Sequence, residues 1–166
     1  MILVDTDVLS AMAKVTRLPL LFTLFQVHCL HIAPGVFREL AHSFSLRRQY
    51  AEEMFSLIVT SQVQVVSLTE KEAIFRDTLP FTLGAGERDS IAIARERNSI
   101  VLSNESRVAH CCRQYRIPCL RLPDILRALW VEGIVSKQTV HDIVNDLQVK
   151  DRMQFKQSTI EAIFAE

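Results

Sequence analysis

The sequence predicts a three-layer α/β/α fold, in which helices cover both faces of a central parallel sheet. Short apolar runs such as 2–4 and 100–103 alternate with segments whose apolar residues recur at helical spacing. Chains that alternate in this way form parallel sheets buried on both faces. Hydrophobic residues make up 49% of the 166 positions, with only four Gly and five Pro, which suits one packed domain.

The first half of the chain carries the signals of three strands and four helices. Thr6 or Asp7 is expected to cap the helix after the first strand. Pro19 falls in the first turn of the next helix, and Pro34 ends the second strand. In chain order, we predict strand 2–4, helices 6–14 and 19–27, strand 30–33, helices 35–44 and 46–57, and the β-branched strand 63–66.

The second half of the chain carries two further strands and several helices. Thr69 and Glu72 have the spacing of a capping box, and Ser136 is a further cap after the helix-breaking Gly133. In chain order, we predict a helix after Thr69, helix 87–97, strand 100–103, helix 105–115, strand 118–121, and helices 123–130, 137–147 and 151–165.

The end of the chain has no strand signal and is predicted to be a helical appendage. We expect a sheet domain at 1–132 and a C-terminal helical extension at 133–166. One face of the extension is apolar, with Val140, Ile143, Val144 and Leu147 at helical spacing. This face is expected to pack either on the sheet domain or on a second subunit.

The composition predicts a cytoplasmic protein without a membrane span. No secretory segment precedes Ile2, and the apolar runs are shorter than the roughly 20 residues that a span requires. The four Cys are then expected to be free thiols. The net charge is zero, with 19 basic and 19 acidic residues, which counts against tight, unassisted binding of nucleic acid.

Acidic residues follow several of the predicted strands. Because ligands bind beyond the carboxyl ends of parallel strands, these side chains are candidates for one site. They are Asp5, Asp7, Glu39, Glu87, Asp89 and Glu105, with Asn104 beside the last. Such a cluster repels itself unless a cation is bound, and Mg²⁺ or Mn²⁺ prefers carboxylate oxygen. An open site of this kind suits phosphodiester hydrolysis.

Four segments of the chain together resemble the motifs of the PIN-domain family. They are residues 1–10, 34–40, 83–94 and 100–107. The resemblance implies a Mg²⁺- or Mn²⁺-dependent ribonuclease that prefers single-stranded RNA. It also implies that the chain could be the toxin of a toxin–antitoxin pair, held by a small antitoxin protein, and that it forms a homodimer.

The resemblance implies a role for individual residues. The predicted catalytic and metal-binding acids are Asp5, Glu39, Asp89 and Glu105, with Glu87 as an additional metal ligand. Asp7, Ser103 and Asn104 are expected to orient these acids. Apart from the resemblance, Arg88 and Arg107 lie close to these acids in the sequence and are therefore expected to contact RNA phosphates.

Two alternatives to a ribonuclease remain open. Glu105 stands where the family has Asp, and a carboxylate displaced by one methylene could leave a PIN-like module that only binds nucleic acid or protein partners. The Asp5-Thr6-Asp7 spacing also resembles haloacid-dehalogenase-type phosphatases, with a nucleophilic first Asp. The sequence has no Gly-Asp pair of the kind that those phosphatases need.

Overall fold

The computed structural model describes residues 1–165, apart from the side chain of Gln49. Within these residues, five parallel strands form one sheet in the order β3-β2-β1-β4-β5. The strands are β1 (Ile2–Val4), β2 (Leu30–Ile32), β3 (Val63–Val65), β4 (Ile100–Leu102) and β5 (Cys119–Leu120).

Helices cover both faces of this sheet, so the predicted three-layer α/β/α fold is confirmed. In chain order they are α1 (Thr6–Lys14), α2 (Pro19–Phe25), α3 (Pro34–Ser45), α4 (Gln49–Val59), α5 (Glu70–Thr78), α6 (Ala85–Glu96), α7 (Ser106–Gln114), α8 (Leu122–Val131), α9 (Lys137–Lys150) and α10 (Gln157–Phe164).

The direction of the chain across the sheet reverses at β1. From β1 the chain moves outward through β2 to β3, and it then returns to the other side of β1 as β4 and β5. The backbone N–H of Asp5 donates to the carbonyl of Leu102 at 2.9 Å, so β1 and β4 stay paired to their carboxyl ends. In open parallel sheets the crevice at such a reversal is the usual ligand site.

The C-terminal helices pack on the sheet domain. α9 contributes buried side chains to the common core, namely Val140, Ile143, Val144 and Leu147. α10 lies against α8, where the indole N–H of Trp130 donates to the carbonyl of Ile163 at 2.8 Å. The described part of the extension therefore belongs to the same body as the sheet, and Glu166 lies outside the described residues.

Some element boundaries differ from the predicted ones for local reasons. Asp5, and neither Thr6 nor Asp7, is the N-cap of α1, because its carboxylate accepts the N–H of Thr6 at 2.8 Å. α4 begins three residues later than predicted, after the left-handed φ of 53° at Arg47. The predicted helix 151–165 forms only at 157–164; Arg152 has a left-handed φ of 55°, and residues 153–156 are not helical.

No single helix within residues 1–165 is long and apolar enough to cross a membrane. α1 and α2 reach that length and composition only as a pair, and the chain bends by 118° between them.

Candidate active site

A cavity of about 270 Å³ opens at the carboxyl ends of β1 and β4. Carboxylates from four segments of the chain line it. They are Asp5 and Asp7 after β1, Glu39 on α3, Glu87 on α6 and Glu105 after β4. The structure thus brings five of the six acidic candidates to one cavity, and it leaves Asp89 out of the lining.

Asp5 is the most deeply buried acid of the cavity, with 7% of its surface exposed. Its Oδ1 accepts the backbone N–H of Thr6, and its Oδ2 accepts the hydroxyl of Ser103 at 3.0 Å. Burial, followed by the negative charge of Asp7, raises the pKa of Asp5 to about 7 despite these hydrogen bonds. Burial therefore makes the ionised form of Asp5 unfavourable unless a cation compensates its charge.

Asp7 joins the ends of the two central strands. Its Oδ1 accepts the N–H of Val8 at 2.7 Å, and its Oδ2 accepts the N–H of Asn104 at 2.9 Å. Burial raises its pKa. Since both carboxylate oxygens accept backbone N–H groups, Asp7 fixes the loop that leads from β4 to Glu105. The N–H of Glu105 in turn donates to the hydroxyl of Ser103 at 3.3 Å.

Glu39 and Glu87 reach the cavity because α3 and α6 cross at two glycines. A Cβ atom on Gly35 would lie 2.5 Å from Cα of Gly86, so the two backbones are in direct contact. The hydroxyl of Thr6 donates to Oε2 of Glu39 at 2.6 Å. The N–H of Gly84 donates to Oε2 of Glu87 at 2.5 Å. Each glutamate is thus oriented through one oxygen, which leaves the other for a ligand.

Asp89 lies behind the cavity, between α3 and α6, with only 2% of its surface exposed. Its Oδ2 accepts the N–H of Gly35 at 2.9 Å, in the first turn of α3. Arg38 and Arg76 lie 3.6 Å from its two oxygens. The carboxylate therefore neutralises nearby guanidinium groups and holds the start of the helix that carries Glu39.

The two candidate arginines occupy different places. Arg107 lines the carboxylate cavity, and its Nη1 donates to the carbonyl of Thr82 at 2.7 Å. Arg88 does not line this cavity, and its guanidinium instead lies 5.2 Å from the ring centre of Phe81. Only Arg107 is thus close to the place where a phosphate would meet the carboxylates.

Sequence reasoning missed three residues that shape this site. Thr6 was considered only as a helix cap, but it holds Glu39. Gly35 and Gly86 lie within the motif segments, and their small size is what lets α3 approach α6. Gly has a lower helix propensity than most residues, so its presence in the first turns of two helices indicates close packing at those positions. This was the sequence signal that could have identified Gly35 and Gly86.

The residue types at the cavity fit a hard divalent cation, because the potential metal ligands there are oxygen atoms, mostly of carboxylates, and include no His nitrogen or Cys sulfur. Asn104 lies between Ser103 and Glu105 but does not line the cavity; its buried amide oxygen, Oδ1, has no hydrogen-bond partner among the described residues. Among residues 1–165, however, no three His, Cys, Asp or Glu side chains lie close enough together to hold one metal ion as they stand. Binding would therefore require the glutamate side chains to draw closer to Asp5.

Comparison with known proteins agrees with this geometry. The family model DUF3368, described as a PIN domain, matches residues 1–166. No curated protein matches the chain. The match covers the sheet, the segments that carry the acids and the C-terminal helices alike. The fold, the position of the carboxylates and the family model lead to one assignment: the chain belongs to the PIN-domain family.

Proposed function

We propose that this protein is a divalent-metal-dependent ribonuclease, as a nuclease-type fold suggests. The observation that carries the proposal is the meeting of Asp5, Asp7, Glu39, Glu87 and Glu105 at one cavity where the sheet reverses direction. Five carboxylates in one cavity repel one another, and a divalent cation relieves that repulsion. The deep burial of Asp5, whose pKa is raised to about 7, strengthens the need for a cation.

Asp5, Glu39, Glu87 and Glu105 are the proposed ligands of Mg²⁺ or Mn²⁺. A bound ion would polarise a phosphoryl oxygen and help to activate the attacking water. The hydroxyl of Thr6 orients Glu39 and the hydroxyl of Ser103 orients Asp5 through the hydrogen bonds described above. Arg107 lies beside the acids and is placed to hold a phosphate of the RNA backbone.

Asp89 has a different proposed role from the one that its motif position implies. Buried behind the cavity, it acts on the site through the N–H of Gly35, which fixes the start of α3. Because Glu39 lies four residues further along α3, a change at Asp89 would reach the cavity by displacing Glu39. Asp89 is thus proposed as a positioning residue, while Glu87 provides the carboxylate of α6 in the cavity.

A PIN-like module that binds RNA or protein without cleaving RNA is the second candidate function. The side chain of Glu105 is exposed, and no three acids of residues 1–165 form a ready metal group. Both observations favour a weakened site. The phosphatase alternative has no such support, because the family model assigns the chain to PIN domains and the sequence has no Gly-Asp pair.

Calorimetric titration with Mn²⁺ is the first test, on the unchanged chain, on Asp5→Asn and on Asp142→Asn. Asp142 is an exposed carboxylate of α9 outside the cavity, so it controls for the loss of one negative charge. We expect binding by the unchanged chain and by Asp142→Asn, and a loss of at least tenfold in affinity for Asp5→Asn. Equal affinities in all three proteins would contradict the metal site.

Cleavage of single-stranded RNA in Mn²⁺ and in EDTA separates the two candidate functions. A ribonuclease cleaves only with the ion and loses activity in Asp5→Asn. The binding module retains RNA without cleaving it in either buffer. A small antitoxin partner, a homodimer and a cytoplasmic location stay predictions. Co-expression with a small protein encoded beside this chain would test the first, light scattering the second and cell fractionation the third.

A further inference from the structure

A second cavity, of about 280 Å³, lies beside the carboxylate cavity. One wall is the turn at residues 80–83, which is closed by a 3.1 Å hydrogen bond from the N–H of Leu83 to the carbonyl of Pro80. The other wall is one face of α7, where residues three or four apart lie in a row. Most of the surface of this lining is apolar and includes Pro80, Leu83 and Cys111, and the exposed residues His110 and Gln114 also line it.

Arg107 is shared by the two cavities. Its Nη1 is held by the carbonyl of Thr82, so the guanidinium spans the boundary between the acidic cavity and the apolar one. Within residues 1–165 the structure shows no second acceptor for this guanidinium, so its other N–H groups can hold an anion. A phosphate on Arg107 would therefore have the carboxylates on one side and an apolar slot on the other.

Phe81 extends from the tip of the same turn, with 85% of its surface exposed. The guanidinium of Arg88 lies 5.2 Å from the ring centre and supports the aromatic side chain from within the fold. A bulky aromatic ring that is left this exposed gains little from folding. It is suited to stack against a planar partner.

We propose that the cavity between the 80–83 turn and α7 binds a nucleobase of single-stranded RNA, with Phe81 stacking on an adjacent base. The proposal rests on the proposed ribonuclease function and adds the path of the strand to it. Single strands are bound by combining cationic contacts to phosphate with aromatic platforms for the bases. Arg107, which lines the carboxylate cavity, supplies the cationic contact. Phe81, in the adjacent 80–83 turn, supplies the aromatic platform.

The cavity beside α7 suits a base in two further ways, through its apolar surface and through its polar lining residues. The flat rings of a base fill apolar space, while their edges require hydrogen-bond partners. His110 and Gln114, which lie 3.3 Å apart through their side-chain nitrogens and line the cavity, can supply such partners. Because the acids repel phosphate wherever no cation is bound, contacts with the bases would hold the strand beside the site.

The test measures binding of a fluorescein-labelled 2′-O-methyl phosphorothioate oligouridylate, which resists hydrolysis, by anisotropy in Mn²⁺. We expect Phe81→Ala to weaken binding about 5- to 150-fold, the range for loss of one base–aromatic stack. Val59→Ala is the matched control, because Val59 is 82% exposed and is the last residue of α4, which leads to β3 at the opposite edge of the sheet. Equal affinities for Phe81→Ala and Val59→Ala would overturn the proposal, as would a failure of the unchanged chain to bind.

A probe series with one abasic nucleotide at successive positions locates the slot. We expect one position at which removal of the base weakens binding, and a smaller effect of that removal when His110 and Gln114 are both replaced by Ala. An equal response at every position would exclude a base-binding slot.

Cleavage kinetics keep this proposal separate from the ribonuclease itself. If Phe81→Ala cleaves RNA with the same KM as the unchanged chain, the proposed binding of bases at the 80–83 turn is wrong, and the ribonuclease proposal stands. Binding that depends on Phe81 without any cleavage would overturn the ribonuclease alone.

Discussion

Gly35 and Gly86 touch backbone to backbone, and a Cβ on Gly35 would lie 2.5 Å from Cα of Gly86. Real Cβ atoms do not approach that closely, so a larger side chain at position 35 must push α3 away from α6. Glu39 and Glu87, which those helices carry, would then separate.

Gly35→Ala is expected to lower the free energy of unfolding by about 1–3 kcal/mol, as overpacking does, and to weaken Mn²⁺ binding. Gly84→Ala is the control, because a Cβ there meets Oε2 of Glu87 at an ordinary 3.5 Å. Urea unfolding and calorimetry measure the two effects. A Gly35→Ala protein as stable and as tightly metal-binding as Gly84→Ala would show that the crossing tolerates a side chain.

Asp5→Asn is expected to stabilise the metal-free chain at neutral pH while it removes activity. The folded-state pKa of Asp5, about 7, lies above its ordinary 3.8, so the folded chain holds this proton more tightly than the unfolded chain does. Stability contributed by Asp5 therefore falls as pH rises from about 4 to about 7 and changes little above that range. At pH 8 the variant should gain at most about 4 kcal/mol, by the linkage of pKa to free energy.

The measurement is urea unfolding in EDTA at pH 4 and pH 8. Asp7 titrates in the same direction, so the unchanged chain should lose stability between these two values and Asp5→Asn should lose less. Identical losses would mean that Asp5 ionises without strain.

Ser103→Ala should shift the pH dependence of Mn²⁺ binding towards alkaline values. The hydroxyl of Ser103 donates to Oδ2 of Asp5 and favours its ionised form, so loss of the hydroxyl raises the pKa of Asp5 further. Ser99→Ala is the matched control, because Ser99 is equally buried but lies at the amino end of β4. An unshifted profile in Ser103→Ala would remove this hydrogen bond from the account of the site.

Asp89→Ala should mainly lower stability, whereas Glu87→Gln should mainly weaken metal binding. Asp89→Ala leaves the buried N–H of Gly35 without its acceptor, so it should lower the free energy of unfolding by about 1–3 kcal/mol. Glu87→Gln keeps the size of the side chain and an acceptor for Gly84, so it should weaken Mn²⁺ binding with little effect on stability. The proposed roles fail if Asp89→Ala loses more metal affinity than Glu87→Gln.

The fold was predictable because its signals are local. Short apolar runs such as Ile2–Val4 alternate with amphipathic helices, and that order specifies a parallel sheet whichever residues lie at its ends. Two of the boundaries that differ, those of α4 and α10, follow non-glycine residues with a left-handed backbone, Arg47 and Arg152. Such residues carry no reliable sequence signal, because tertiary packing stabilises their conformation.

The set of acids near the site was predictable, but the division between cavity and interior was not. Glu87 and Asp89 are two residues apart on one helix, so their side chains point about 200° from each other. Both could not line the same cavity, and the helix orientation that favours Glu87 depends on the contact between α3 and α6. That contact depends on glycines whose partners are distant in sequence.

Trp130 is the single tryptophan of the chain, and its indole N–H holds the carbonyl of Ile163. The ring also lies under the ammonium group of Lys137, 4.5 Å from its centre. One chromophore thus contacts both helices of the C-terminal segment. Release of α10 would break the hydrogen bond between Trp130 and Ile163 and expose the indole to water, so a binder that displaces this helix should move the emission maximum of Trp130 to longer wavelength.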